Sequence, residues 1–167
     1  MKREWFCIFL FACGFVECRT CHAQVGTEIA VAVRALRVLC PGRLRLAPIF
    51  GREARRHHVP ADLLVSVARA ESYCDPDAVG RKGELGLMQV KPGTVAAGGV
   101  SDDRLRLPSV NISLGAAHLE RRFRLCGDWA GALGVYKGWK KCRQGRESEY
   151  AERVLGFLEE VRGIGES

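Results

Sequence analysis

At 167 residues, with 47% hydrophobic and 27% charged side chains, the chain has the size and composition of one globular domain. That length buries a core without help from metals or repeats. The formal charge of +7 suits an anionic partner, but Lys and Arg are scattered, with no long basic run and no aromatic-rich nucleic-acid motif. An anionic wall or membrane surface is therefore the expected neighbour rather than nucleic acid, beside the plainer reading of a solvated basic face.

Lys2 and Arg3 precede an apolar stretch from Trp5 to Val16, with Glu4 and Glu17 nearby. Positive residues followed by a short apolar run form the pattern of a secretory signal. The run is too short to span a bilayer comfortably, and no later segment is long and apolar enough to do so. Cys21-His22-Ala23 offers a cleavage site that makes 1–23 the signal peptide and places the exported chain in the periplasm. Val16-Glu17-Cys18 is a second cleavage site. Leu10-Phe11-Ala12-Cys13 is a lipoprotein-like box that Phe11 fits badly, and an uncleaved anchor is the alternative to cleavage. Four of the eight cysteines would leave with the signal, and Cys40, Cys74, Cys126 and Cys142 would remain. An even number in an exported chain suggests two disulfides, with three pairings open. Cys126 and Cys142 flank one short helical unit, which favours that pair and leaves Cys40 with Cys74.

Residues 24–45 are expected to form an N-terminal helical extension. Its main helix runs from Glu28 to Cys40, with Ile29, Val33, Leu36 and Cys40 on one face. Pro41-Gly42 ends it. Ile49 to His57 makes a short helix. The adjacent His57-His58 pair lacks metal-ligand spacing and the four remaining cysteines are not clustered, so no metal and no cofactor is expected. Pro60 starts the next helix, whose stripe of Leu63, Leu64, Val67 and Ala68 runs to about Glu71 before Asp75-Pro76 stops it. Residues 80–99 carry six glycines, which means turns and close backbone approach. Asn111 caps a helix bearing Ile112, Ala116, Leu119 and Phe123, and Asp128 caps another bearing Ala132, Leu133 and Tyr136. A last helix shows Tyr150, Val154, Phe157 and Val161. No β-α alternation and no repeat intervenes, so the fold class is mainly α, or helix-dominated α+β.

Glu71 closes an apolar helix in Ala68-Arg69-Ala70-Glu71-Ser72-Tyr73. A carboxylate there meets the negative end of the helix dipole, and partial burial disfavours its charge. Both effects help it hold a proton near neutral pH, as a general acid for glycosidic cleavage must. The plain alternative is a solvated helix-end glutamate, which exposure of Glu71 would favour.

Four motifs follow in order. Glu71-Ser72-Tyr73-Cys74-Asp75-Pro76-Asp77-Ala78 comes first, and Gly83-Glu84-Leu85-Gly86-Leu87-Met88-Gln89-Val90 second. Asn111-Ile112 with Gly115 and Leu119 is the third, and Ala132-Leu133-Gly134-Val135-Tyr136-Lys137-Gly138 the fourth. Together they resemble the soluble lytic transglycosylase family, over roughly residues 46–140. The resemblance implies a goose-type lysozyme-like domain over 46–167, with the Gly-rich loop lining the cleft. It implies that Glu71 is the single catalytic acid and that Ser72 steadies it or the substrate. It also implies that Met88 and Gln89 line the cleft and that the hydroxyl of Tyr136 stands near the carboxyl. The implied reaction cleaves the β-1,4 bond between N-acetylmuramic acid and N-acetylglucosamine of peptidoglycan with formation of a 1,6-anhydro ring. The short format also resembles the small transglycosylases of secretion and conjugation systems, an implied partner apparatus.

This sequence departs from the family pattern where Lys137 replaces the usual Asn after the tyrosine and where Trp139 replaces a small residue. Two other readings stay open. One is a lysozyme-type hydrolase drawing a second carboxylate from Asp75, Asp77 or Glu84, although the two aspartates also suit a turn beside Pro76. The other is a non-catalytic wall-binding module. Met88, Ser72 and Tyr136 each also fit plain structural roles, in the core or in a turn.

Overall fold

The computed structural model describes residues 17–93, 99–138, 140–142 and 148–164, with side chains from residue 26 onward. Most of the signal-like segment and Trp139 lie outside the described residues. The chain forms helix α1 (Glu17–Leu39), a short 3-10 turn (Pro41–Leu46), α2 (Ala47–His57) and α3 (Ala61–Ser72), then α4 (Asp102–Leu105), α5 (Pro108–Cys126), α6 (Trp129–Tyr136) and α7 (Glu149–Gly163). No helix among the described residues is long and apolar enough to cross a membrane.

Helix α3 is the axis of the core. Ala61, Leu63, Leu64, Val65, Val67 and Ala68 are all fully buried. A helix buried on nearly every side needs neighbours all round, and α1, α2 and α7 supply them. The contribution of α1 comes from Ala32, Ala35 and Leu36, each at 0% exposure, while Ile29 and Val33 pack partly buried at its margin. The extension thus shares one core with the helices that follow it. On the far side, α5 packs on α2 and α6, and α6 on α7.

Local chemistry sets the helix ends. Pro60 stands at the N-cap of α3, and Tyr73, left-handed at φ 54°, ends it, with its N–H on Arg69 O. Asp128 caps α6, its Oδ1 accepting from Gly131 N at 2.6 Å. Ser148 caps α7 in the same way through Ala151 N. Asn111 does not cap α5. The helix starts earlier, at Pro108 in the first turn, where a missing N–H does no harm. Asn111 is instead wholly buried and bonds across to other elements.

The β component reduces to isolated bridges among the described residues, Val79 with Leu85 and Leu85 with Val90. They fold residues 78–90 into two tight turns, closed by Gly86 N to Ala78 O at 2.8 Å and by mutual bonds between Leu85 and Val90 at 3.0 Å. Gly86 sits at φ +73°, and a Cβ there would meet Asn111 Nδ2 at 2.7 Å. The loop and α5 therefore meet only because this residue has no side chain. Both expected cysteine pairs are joined, Cys40 to Cys74 and Cys126 to Cys142, with Cα separations of 6.2 and 5.3 Å.

Candidate active site

Glu71 is the penultimate residue of α3 and opens into a cleft of about 440 Å³. Its side chain is only 5% exposed, which argues against a merely solvated helix-end carboxylate. The turn behind it is tightly specified. Tyr73 and Cys74 are consecutive left-handed residues, at φ 54° and 61°, and Cys74 N–H reaches back to Ala68 O. Non-glycine residues rarely adopt that conformation, and the strain persists only where the surroundings enforce it. Here the buried Cys74 is tied to Cys40.

The Gly-rich loop forms the opposite wall. Ser72 is buried, and its Oγ lies 3.1 Å from Ala68 O and 3.0 Å from Leu87 O. Its hydroxyl therefore fastens the loop to the end of α3. Met88 departs from the cleft-lining role expected of it. Its side chain is fully buried against Gly115, where an added Cβ would meet Met88 Cβ at 2.5 Å. What Met88 gives to the site is main chain: its N–H donates to Asn111 Oδ1 at 2.7 Å, and its carbonyl accepts from Tyr136 OH at 2.8 Å. Asn111 Nδ2 also donates to Leu85 O and Leu105 O, each at 2.8 Å. One buried amide thus joins the loop to the end of α4, pairing Met88 N–H and Leu105 O, which burial would otherwise leave unpaired, and adding a second bond to Leu85 O. Gln89, left-handed at φ 47°, lines the cleft, with Nε2 donating to Gly86 O at 2.9 Å.

Tyr136 lines the same cleft as Glu71, and burial followed by the charge of Glu71 pushes its phenol pKa up. Its ring meets His118 edge-on at 5.1 Å. Two further groups gather here that sequence reasoning did not assign. Lys137 Nζ donates to Glu71 Oε2 at 2.9 Å and to Oε1 at 3.2 Å. Tyr150, from α7, is 6% exposed, and its hydroxyl stands close to Glu71. Burial first, then the charge of Glu71 and the nearby Tyr136, raise its pKa. Its only trace in the sequence is a polar-tipped residue on an otherwise apolar helix face.

Arg81, Lys82 and Lys91 line the same cleft, together with Glu84. Glu84 stays below the usual carboxylate range, held by its own N–H and, against some burial, by Lys82 N–H. Asp75 and Asp77 lie outside the cleft lining. Asp75 Oδ1 accepts from Asp77 N at 3.3 Å and stands 3.5 Å from Arg43. His57 packs between Glu53 and Glu120, at 3.7 Å from each. A larger groove of about 1100 Å³ runs between α1, α2 and the end of α7, lined by Arg34, Arg52, Arg56 and Arg162. It lies at the opposite end of α3, and its carboxylates Glu28 and Asp62 already accept main-chain N–H groups. The smaller cleft holds the convergent chemistry.

The family model described as Transglycosylase SLT domain matches residues 48–153. A search of curated proteins returns no match. Among solved structures, the chain is similar to an inactive glutamate-to-glutamine variant of the lytic transglycosylase Slt from Pseudomonas aeruginosa. The TM-score is 0.62 at 22% identity, over 77% of this chain and 25% of that one. The chain thus spans about a quarter of that protein's length, and the likeness is one of fold.

Proposed function

The chain belongs to the transglycosylase SLT-domain family, and from that premise we propose that it is a peptidoglycan lytic transglycosylase with Glu71 as its acid. The observation that carries this reading is the placement of Glu71: nearly buried, at the foot of the cleft, facing Tyr136 and the loop of the second motif. Glu71 donates a proton to the glycosidic oxygen between N-acetylmuramic acid and N-acetylglucosamine, and the bond from that oxygen to the muramic C1 breaks. The acetamido carbonyl of the same sugar attacks C1 and stabilises the developing charge. Glu71, now a carboxylate, takes the proton of the C6 hydroxyl. The C6 oxygen displaces the acetamido group and closes the 1,6-anhydro ring, so no water is consumed. One protein carboxylate suffices because the substrate supplies the nucleophile. That a glutamate-to-glutamine change inactivates the Slt protein supports the same role here.

Glu71→Gln is expected to keep the fold and lower glycan cleavage by at least about a hundredfold. Mass spectrometry of the sugars released from purified peptidoglycan measures this. Fragments ending in 1,6-anhydro-muramic acid support the lyase, and undiminished cleavage by the folded variant would remove Glu71 from the role of acid. Fragments with free reducing ends would favour a hydrolase, for which Glu84, the second carboxylate lining the cleft, is the candidate partner.

We also infer that residues 1–23 direct export to the periplasm. The basic and apolar pattern of that segment supports this, as do two disulfides of a kind that persists in oxidising compartments. Local wall remodelling for a secretion or conjugation apparatus rests on the resemblance of the motifs alone. Failure of such an apparatus to assemble in a strain carrying Glu71→Gln is its test.

A further inference from the structure

Glu71 is not an open acid. One ammonium bridges both its oxygens, with Lys137 Nζ at 2.9 Å from Oε2 and 3.2 Å from Oε1. The two side chains differ sharply in exposure, 5% for Glu71 against 49% for Lys137. The lysine therefore lies on the solvent side and is the member free to move. A general acid must come within about 2.6–3.2 Å of the atom it protonates. Nζ already occupies that shell, so a glycosidic oxygen and this ammonium compete for one place. Lys137 also has somewhere to go. Its Nζ stands 5.1 Å from the centroid of the Tyr150 ring, and its flexible stem allows it to withdraw over that ring or towards Glu84 at the cleft wall. The remaining charges lining the cleft, Arg81, Lys82 and Lys91, are cations and offer it no rival carboxylate.

We propose that Lys137 is a positioning residue that covers Glu71 between turnovers, yields its place to the entering glycan, and then serves as counter-ion to the carboxylate. This rests on the reading of Glu71 as the acid. The family pattern has a neutral Asn at this position, so the device belongs to this chain. Binding must break the ion pair, and Glu71 must take up a proton from solvent as the ammonium withdraws, before the acid can serve its substrate, which raises KM. After the proton has left, the nearby cation stabilises the carboxylate until the C6 hydroxyl is deprotonated, which raises kcat.

The test has two arms on the full chain. In the first, calorimetry measures binding of chitotetraose, a neutral oligomer with no stem peptide. Lys137→Met should bind it about fivefold more tightly than the unaltered protein, as should Glu71→Gln, while Lys137→Arg should not differ. In the second, turnover of peptidoglycan by Lys137→Met should show KM lowered by a similar factor and kcat lowered about tenfold, with Lys137→Arg restoring kcat. Lys137→Asn repeats both arms should the methionine variant fail to fold. Equal affinities for chitotetraose, no binding even by Lys137→Met, or unchanged kcat and KM would each overturn the proposal. An unaltered protein that binds chitotetraose but releases no 1,6-anhydro fragments would instead overturn the lyase reading, and the affinity comparison would still judge Lys137.

Discussion

Asn111 shows how much of the site hangs on one side chain that never touches the cleft. Its amide pairs with groups of Leu85, Met88 and Leu105, all buried. Asn111→Ala leaves Met88 N–H and Leu105 O without partners, while Leu85 O keeps its bond from Val90 N–H, and each such loss costs on the order of 1–3 kcal/mol. The variant should lose roughly 2 kcal/mol or more in urea unfolding. A loss under ~1 kcal/mol would mean that water replaces the amide. His118 makes a different expectation, for pH. Burial, then Arg122 and Arg121, lower its pKa from 6.5 to about 4, and its Nδ1 has no hydrogen-bond partner among the described residues. As pH falls, the unfolded chain takes up this proton first. Stability linked to His118 is thus unaffected above pH 6.5 and is lost progressively between pH 6.5 and 4. Because the ring is partly exposed, solvent moderates the size of that loss. Urea midpoints at pH 7.5 and 5 should differ more in the unaltered protein than in His118→Phe. Equal differences would show that other groups set the pH response.

At the level of elements, what was legible in the sequence was what local pattern decides. Apolar period marked α3, α6 and α7, with Pro60 and Asp128 marking the starts of the first two and Asp75-Pro76 the end of α3. The start of α5 was misplaced because Asn has the chemistry of a cap, but here its amide is drawn away by a loop 26 residues earlier, and Pro108 takes the start. The short α4 left no period to read, having four residues. Glu71 was legible from its place at a helix end within a motif. Lys137 was visible only as a departure, since the two meet across 66 residues of chain. Tyr150 was read as one more core residue, because nothing local tells that a hydroxyl on α7 comes near a carboxylate on α3.

For the whole molecule, the two disulfides close loops with separations of 34 and 16 residues. Chain entropy values each at about 3–4 kcal/mol. Reduction of both should lower the melting temperature markedly, and an unchanged value after verified reduction would argue against a structural role. The two bonds should differ in their effect on turnover. Cys74→Ser releases the left-handed turn just behind Glu71, whereas Cys142→Ser frees a link between α6 and α7, so cleavage should fall further in the first at temperatures where both remain folded. Similar rates in the two would show that the turn holds its shape unaided. The bond from Cys74 to Cys40 also bears on recombination. The stretch that matches the family begins at residue 48, after Cys40 and after the α1 residues that cover α3. A graft exchanging only residues 48–153 with a relative would inherit a thiol without its mate and an apolar helix face without its lid. The heritable unit of this chain therefore begins near residue 28, and a crossover between there and residue 48 should yield chimaeras that fail to fold even when all four motifs are intact.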